Sequence, residues 1–305
     1  MTPLPDSAVV ATGLDSPEGP VSLDDGSWLV VEMAPGRGCV THVDNDGTLR
    51  VICTTGRPNG LALAPDGSVM IAESMRASIL RIGTDWRNGS GEWSVVSDNA
   101  SGLGPMLFPN DLCFGPDRAL YVTDSGLPLE VMQRELLSSS DPTALPFDGR
   151  VYRIDVTTGA TEVVDSGLGH LNGISVGTDG ALYVNDTISG DVYRYPFTAA
   201  GIGARELFGN VIDRSGSAFR GPDGMAHDVE GNLYVAVFNQ SEVVVLDRNG
   251  DWTERIPTYG SQPTNVAFRP GESAIYVTER ETGTLHRLAA LAPGKPLPDQ
   301  TPSLP

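Results

Sequence analysis

The chain has 305 residues, with 20 Lys+Arg against 39 Asp+Glu and a formal net charge of −19. This charge repels phosphate backbones and anionic membranes, and no apolar run approaches the about 20 residues that a membrane helix needs. Lys295 is the only lysine, so the body of the chain lacks a Schiff-base, phosphate-loop or protein-kinase lysine. We therefore expect a small-molecule substrate, with no nucleic acid and no membrane as partner.

The cysteines and the first residues bear on the compartment. Cys39, Cys53 and Cys113 are an odd number and form no C-x-x-C pair, which argues against a disulfide framework or a zinc–thiolate site. The first residues lack the basic and then apolar pattern of a secretory leader. We expect a reducing, cytoplasmic location, and the oligomeric state stays open.

One pattern recurs six times along the chain. Each copy has a polar residue, often between Pro and Gly, then an apolar stretch, an Asp-Gly type of turn and a second apolar stretch. Such strand pairs at intervals of about 40–60 residues are typical of propeller blades. We call the opening polar residues the hub residues: they are Glu18, Asn59, Asn110, Asn172, Asp223 and Asn265. The prediction is an all-β, six-bladed β-propeller of four-stranded blades, formed as one domain by residues 1–290.

The two ends of the repeat array predict how the ring closes. A spare strand-like segment at 8–12 precedes the first copy, and the last copy ends near residue 288 without a fourth strand. We predict that the N-terminal strand completes the sixth blade, because closure removes exposed sheet edges. The proline-rich residues 291–305 are predicted to form an unstructured or clamped tail.

An insertion at about 127–148 interrupts the third copy. Residues 129–137 have helical spacing and contain neither Gly nor Pro. We interpret the insertion as a short helix or lid near the active-site mouth of the ring, or as a surface excursion without a role.

The hub residues predict chemistry at one end of the channel. The innermost strand of a blade starts on the face where the second strand ends, and in five copies the second stretch ends in an acid: Glu32, Glu73, Asp124, Asp186 and Glu279. Four hub residues, Glu18, Asn110, Asn172 and Asp223, can offer oxygen ligands to one hard cation. Two carboxylates and two amides without sulfur describe a calcium site. Asn and Asp next to Pro and Gly also form turns, but the alternating identity of the hub residues favours a shared ion.

The sequence around these four positions resembles the regucalcin/gluconolactonase (senescence marker protein) family over about residues 8–290. The matching motifs are Ser16-Pro-Glu18-Gly-Pro, Pro109-Asn110-Asp111, Leu171-Asn172-Gly173 and Gly221-Pro-Asp223-Gly-Met225. The resemblance implies that Glu18, Asn172 and Asp223 bind Ca²⁺ directly, with other divalent cations as alternatives and no organic cofactor. It also implies that Asn110 is a ligand or a water-mediated neighbour that contacts substrate. Asp223 would then be the catalytic general base or nucleophile in hydrolysis of a cyclic ester.

The chain departs from the sugar-lactone members of this family at one position. Those members carry an arginine two residues before the equivalent of Asn110, whereas this chain has Phe108 there. An apolar wall formed by Phe108 and Phe238 would favour a substrate more hydrophobic than a sugar lactone. His170, two residues before Asn172, is a further candidate substrate contact or a hydrogen-bonded structural residue.

Other activities remain open at this stage. The first hypothesis is a calcium-dependent lactonase or esterase. The alternatives are a binding or scaffold propeller with a structural calcium, a metal-assisted cyclase or isomerase, and a phosphotriesterase-like hydrolase, because a propeller by itself does not determine function.

Overall fold

The computed structural model describes residues 8–89, 91–100, 104–136, 141–212 and 220–296. Within these ranges the chain forms six four-stranded antiparallel sheets arranged as the blades of a propeller, together with two short hairpins. The predicted all-β, six-bladed ring is therefore confirmed.

The strands are numbered in chain order, and β1 is Ala8–Thr12. Blade 1 contains β2 (Pro17–Ser22), β3 (Trp28–Glu32), β4 (Cys39–Val43) and β5 (Leu49–Thr54). Blade 2 contains β6 (Pro58–Leu63), β7 (Val69–Glu73), β8 (Ser78–Ile82) and β9 (Trp93–Ser97), with a 3₁₀ turn at Thr84–Asn88. A hairpin of β10 (Asn99–Ala100) and β11 (Gly104–Pro105) follows. Blade 3 contains β12 (Pro109–Phe114), β13 (Leu120–Asp124), β14 (Gly149–Ile154) and β15 (Thr161–Leu168).

The second half of the ring repeats this order. Blade 4 contains β16 (Leu171–Val176), β17 (Leu182–Asp186), β18 (Asp191–Tyr195) and, after a hairpin of β19 (Phe197–Thr198) and β20 (Gly201–Ile202), β21 (Glu206–Asn210). Blade 5 contains β22 (Gly221–His227), β23 (Leu233–Phe238), β24 (Glu242–Leu246) and β25 (Trp252–Pro257). Blade 6 contains β26 (Pro263–Phe268), β27 (Ala274–Glu279) and β28 (Thr284–Ala289).

Blade 6 is completed by the N-terminal strand. β1 pairs antiparallel with β28, with Ala8 opposite Arg287 and Thr12 opposite Thr284. The sheet order is therefore β1-β28-β27-β26, as the sequence predicted.

The turns inside the blades follow from local chemistry. Between β6 and β7, the Ser68 amide donates to Asp66 Oδ1 at 3.0 Å, and the Ala64 amide donates to the Ser68 carbonyl at 2.8 Å. Gly67 has φ 83°, a left-handed conformation that glycine adopts without steric cost. The Asp-Gly pair therefore sets the hairpin that joins two blade strands.

In the described ranges, six hydrophobic clusters lie one between each pair of neighbouring blades, and a seventh lies at the insertion. In β7, Val69 and Ile71 face blade 1, whereas Met70 and Ala72 face blade 3. Successive side chains of a strand point to opposite faces of its sheet. Because both faces are buried, this strand is an unbroken apolar run.

The insertion of the third repeat lies between β13 and β14. It contains a short α-helix at Leu129–Val131 that continues as a π-helix at Met132–Leu136, and a 3₁₀ helix at Pro142–Ala144. The last residue of the predicted helix, 137, lies outside the described residues. In the predicted tail, Gly294 bridges Asp228 and Pro270, so its first residues are held against blades 5 and 6, and residues 297–305 lie outside the described part of the chain.

Candidate active site and metal centre

All six hub residues lie near the start of the innermost strands β2, β6, β12, β16, β22 and β26. These strands contact one another around the whole ring. Pairing with the second strand is interrupted beside each hub residue, as between Pro109 and Leu112 in blade 3. Such bulges redirect side chains and often occur next to active sites. The structure thus places the four predicted ion ligands at one end of the channel.

A missing side chain lets neighbouring innermost strands approach each other. Glycine follows the hub residue in four blades, and a Cβ on Gly60 would lie 2.5 Å from Asp111 Oδ1 and 2.7 Å from its Cα. Four copies have glycine at this position, but blade 3 has Asp111. The buried Asp111 carboxylate therefore fills the space beside Gly60. An acid where four copies have glycine was the signal in the sequence that could have identified Asp111 as a site residue.

The side chains of Asn110 and Asn172 are oriented by equivalent hydrogen bonds. Asn110 Nδ2 donates to Ser125 Oγ at 2.9 Å, and that hydroxyl donates to the Leu171 carbonyl of the next blade at 2.8 Å. Asn172 Nδ2 donates in the same way to Thr187 Oγ1 at 3.3 Å. The amide nitrogens are thereby held within the ring, which leaves the amide oxygens available for another ligand.

Three carboxyl groups at the hub influence one another. Burial raises the pKa of Glu18 well above its usual range, and the nearby Asp223 and Asp111 raise it further. Burial raises the pKa of Asp111 to about 7, and burial together with Asp111 raises the pKa of Asp223 to about 8. Asn265, which the sequence did not single out as a site residue, donates Nδ2 to Glu18 Oε2 at 3.0 Å. Negative charge is therefore costly at this point, and a cation would offset the cost.

These residues fit a divalent cation with oxygen ligands. Among the described residues, no three His, Cys, Asp or Glu side chains lie close enough to hold an ion together, so amide oxygens would have to contribute. Asn172 Oδ1 is buried and has no hydrogen-bond partner. A buried polar atom without a partner is unusual, and an amide oxygen beside carboxylates is a normal calcium ligand.

The acids at the ends of the second strands have another function in the fold. The Asp124 carboxylate accepts hydrogen bonds from the amides of Leu107, Phe108 and Gly126 at 2.7, 2.9 and 3.0 Å. The same contact to the segment before the innermost strand is made by the four other acids, Glu32, Glu73, Asp186 and Glu279. Blade 5 has Val237 at the equivalent position, and Phe238 follows it. These carboxylates hold the loops that carry the hub residues.

The predicted substrate contacts Phe108 and His170 lie near the insertion. Phe108 is only 3% exposed and packs with Leu127 and Met132. The His170 ring is 5.8 Å from the ring of Phe147, and its Nδ1 is buried without a partner. Burial, and to a lesser extent a nearby arginine, lowers the pKa of His170 to about 4, so the ring is neutral at physiological pH.

Two arginines that the sequence reasoning missed lie at the same mouth. The Arg57 guanidinium lies 5.3 Å from the centre of the Phe108 ring, and the Arg280 guanidinium 6.0 Å from the centre of the Phe238 ring. Arg57 is two residues before Asn59. The sugar-lactone proteins that the sequence resembles carry an arginine at the same offset before the hub residue of blade 3. The position of Arg57 was therefore the signal in the sequence that could have identified it.

A cavity of about 450 Å³ occupies the channel beyond the hub residues. It is lined by the later residues of the innermost strands and by Lys295 of the tail. His227 lies here, where its Nδ1 is 3.0 Å from Ser175 Oγ and its ring is 4.6 Å from that of Tyr183. Burial lowers the pKa of His227 to about 3, so this histidine is a neutral, hydrogen-bonded residue away from the mouth.

Comparison with known proteins shows the family of the chain. The family model described as "SMP-30/Gluconolactonase/LRE-like region" matches residues 16–281. The chain belongs to this family. It is 27% identical over 292 residues to gluconolactonase of Zymomonas mobilis, covering 88% of this chain and 78% of that protein. It is 26% identical to diisopropyl-fluorophosphatase of Loligo vulgaris, covering 94% and 92% of the two chains.

Solved structures share the fold of this SMP-30/gluconolactonase/LRE-like protein. The calcium-binding protein regucalcin from Agrobacterium tumefaciens superposes with a TM-score of 0.74 at 20% identity, covering 95% of this chain and 96% of that chain. At such identity the likeness concerns the fold alone. Among the described residues, no helix is long and apolar enough to cross a membrane.

Proposed function

We propose that this chain is a calcium-dependent hydrolase that opens a lactone or cleaves an ester at the hub-residue end of the channel. The observation that carries the proposal is the buried Asn172 Oδ1, which has no partner and lies in the ring of hub residues with the mutually repelling carboxyls of Glu18 and Asp223. An oxygen-only set of this kind favours Ca²⁺ over softer metals. The named curated relatives, a gluconolactonase and a fluorophosphatase, support a hydrolase.

In this proposal Glu18, Asn172 and Asp223 hold the ion, and Asn110 binds the ion or the substrate. A bound divalent cation supplies a Lewis acid that polarises the ester carbonyl. The chain's own contribution is orientation, because Thr187 and Ser125 fix the two amides before substrate arrives.

Asp223 can act by two routes, and it is partly exposed to the channel. As a general base it takes a proton from water while the water oxygen attacks the carbonyl carbon; the ring C–O bond then breaks and the leaving oxygen receives the proton. As a nucleophile, its carboxylate oxygen attacks the carbonyl, the C–O bond to the leaving oxygen breaks, and that oxygen takes a proton from water. The resulting hydroxide then hydrolyses the acyl-aspartate anhydride to the product acid and the free carboxylate. Either route adds one water to one ester and suits activated esters and lactones.

We further propose that the substrate has an apolar portion and that the enzyme is cytoplasmic. The partly exposed ring of Phe238, placed near the mouth, supports the first point, whereas the ring of Phe108 is buried. Neutral His170, whose Nδ1 has no partner, would accept a hydrogen bond from a substrate hydroxyl. The free thiols of Cys39, Cys53 and Cys113 support the second point.

Calcium titration and an activity panel test the proposal. The panel contains γ- and δ-lactones, aryl esters and a fluorophosphate, each assayed with calcium and with chelator. We expect Glu18→Gln and Asn172→Ala to weaken calcium binding strongly and Asp223→Asn to abolish turnover. Asn59→Ala, which changes a hub residue outside the ligand set, is the matched control and should retain calcium binding.

Two results would overturn parts of the proposal. Unchanged calcium affinity in Glu18→Gln would remove the metal assignment. Calcium-loaded protein that turns over nothing in the panel, and whose ligand binding survives Asp223→Asn, would favour a binding propeller with a structural ion.

A further inference from the structure

We propose that Arg57 and Arg280 form an anion-binding pair above the hub residues, so that the substrate carries an oxyanion group, such as a carboxylate, away from the bond that is cleaved. The assignment of this group to a substrate rests on the proposed hydrolase function. The anion site itself stands on the geometry of the two arginines.

Arg57 extends from the start of blade 2 across the mouth of the ring. Its guanidinium lies 5.3 Å from the ring centre of Phe108 in blade 3, and its Nη1 donates to Ser74 Oγ at 2.9 Å. The Arg57 charge lowers the pKa of His170 in blade 4, and Glu18 in blade 1 raises the pKa of Arg57. A side chain of blade 2 that approaches blades 1, 3 and 4 together lies over the channel rather than along the outer surface.

Arg280 reaches the same mouth from blade 6. It follows β27 directly, and its guanidinium lies 6.0 Å from the ring centre of Phe238 in blade 5. The Arg280 charge lowers the pKa of the Asp223 carboxyl and also lowers the pKa of the Arg57 guanidinium. The two guanidiniums are therefore close enough to repel each other although they come from different blades.

Neither arginine has a carboxylate within ion-pair distance in the described part of the chain. Most other arginines in the described ranges have an acidic partner, as Arg37 has in Glu32 at 2.8 Å. In a chain with a net charge of −19, two neighbouring arginines without acidic partners are unexpected. The mutual repulsion between them is a cost that an anion bound between them would offset.

The aromatic partners leave the guanidiniums suited to an oxyanion. A guanidinium over an aromatic ring gains from the cation–π interaction, while its N–H groups remain free at its edge. Only one N–H of Arg57 has a side-chain partner among the described residues, Ser74 Oγ. Because the planar fork of N–H groups matches the two oxygens of a carboxylate, recognition is bidentate. The hub carboxylates are not the natural partners in the proposed enzyme, since the calcium ion would neutralise them.

A matched pair of substrates tests this inference. One is a γ-butyrolactone with a ring carboxylate, and the other is the same lactone with a primary carboxamide. We expect the calcium-loaded wild type to prefer the carboxylate, and the ratio of the two kcat/KM values to fall about tenfold or more, mainly through KM, in Arg57→Gln and in Arg280→Gln. Arg50→Gln changes an exposed arginine on β5 by the same charge and should leave the ratio and the activity unchanged.

The outcomes separate this inference from the proposed function. A wild type that prefers the carboxamide, or a ratio that stays constant in both variants, overturns the anion pair while the hydrolase stands. If neither lactone is hydrolysed, calorimetric titration with glutarate and with glutaramide decides. Glutarate binding that is lost in both mouth variants and kept in Arg50→Gln supports the anion site without the proposed lactonase, and equal binding by all variants overturns it.

Discussion

Replacing Thr187 by valine tests whether the orientation of Asn172 controls ion binding. The hydroxyl of Thr187 accepts from Asn172 Nδ2 at 3.3 Å and donates to the Pro222 carbonyl of the next blade at 2.7 Å. Valine has nearly the same shape but can make neither contact, so two buried polar groups lose their partner. At about 1–3 kcal/mol for each group, the free energy of unfolding should fall by about 2–6 kcal/mol.

Thr187→Val should also weaken calcium binding, in addition to lowering the free energy of unfolding. Partners that orient metal ligands typically contribute about 10–100-fold to metal affinity, so we expect the calcium Kd of Thr187→Val to rise by that factor. The assays are calcium titration against a chromophoric chelator and urea unfolding of the calcium-free protein. Both use the full chain.

A second threonine provides the control. Thr161 on β15 is buried, and its hydroxyl bonds to that of Ser97 in blade 2, away from the hub. Thr161→Val should also lose stability, by about 1–3 kcal/mol, but should keep its calcium affinity. Equal calcium affinities in the two variants would refute the reasoning that Thr187 positions the amide.

Four further predictions follow from the electrostatics and the contacts. Glu18→Gln removes one of three repelling hub carboxyls, so the calcium-free variant should be harder to unfold by urea than the calcium-free wild type even though it binds calcium poorly; a less stable variant would contradict this. Asp124→Asn cannot accept from three amides in the same way, and we expect a loss of about 2–4 kcal/mol in urea unfolding, with a loss below 0.5 kcal/mol arguing against the loop-holding role. Because burial lowers the pKa of His227 to about 3 while an unfolded histidine titrates near about 6.5, the unfolded state binds the extra proton, and the free energy of unfolding should fall as pH drops from about 6.5 towards 3. His227→Gln should reduce this slope by up to about 1.4 kcal/mol per pH unit, and an unchanged slope would show that the ring is charged in the fold. A single turnover in ¹⁸O-water tests the two roles of Asp223: a general base puts ¹⁸O into the product and leaves Asp223 unlabelled. A nucleophile whose aspartyl carbonyl is attacked by water gives ¹⁶O in the product and ¹⁸O in Asp223.

The fold was predictable because its determinants are local and repeated. Asp66 and Gly67 set a hairpin with bonds inside the turn, and the same chemistry recurs in other copies. The pairing of β1 with β28 was predictable by a different argument, since one copy lacked a strand and a spare strand remained. Neither inference required knowledge of side-chain positions.

The site was only partly accessible from the sequence. The hub residues recur at fixed places in the repeat, but an acid such as Asp124 has the same sequence signature whether it binds an ion or three backbone amides. Asp111 was visible as an acid where four copies have glycine. Arg57 and Arg280 were not predictable as a pair, because their proximity depends on how far long side chains from two blades extend across the mouth.

The joining of β1 to β28 sets an order of events during synthesis. β1 leaves the ribosome before any other strand of the ring, whereas β28 is translated after blades 1–5 are complete. Blades 1–5 can form their own sheets as they emerge, but the ring cannot become circular until the last blade arrives. A nascent chain stalled inside blade 6 would therefore hold an open arc with β1 unpaired, and resistance to protease would appear only when the final strand is released.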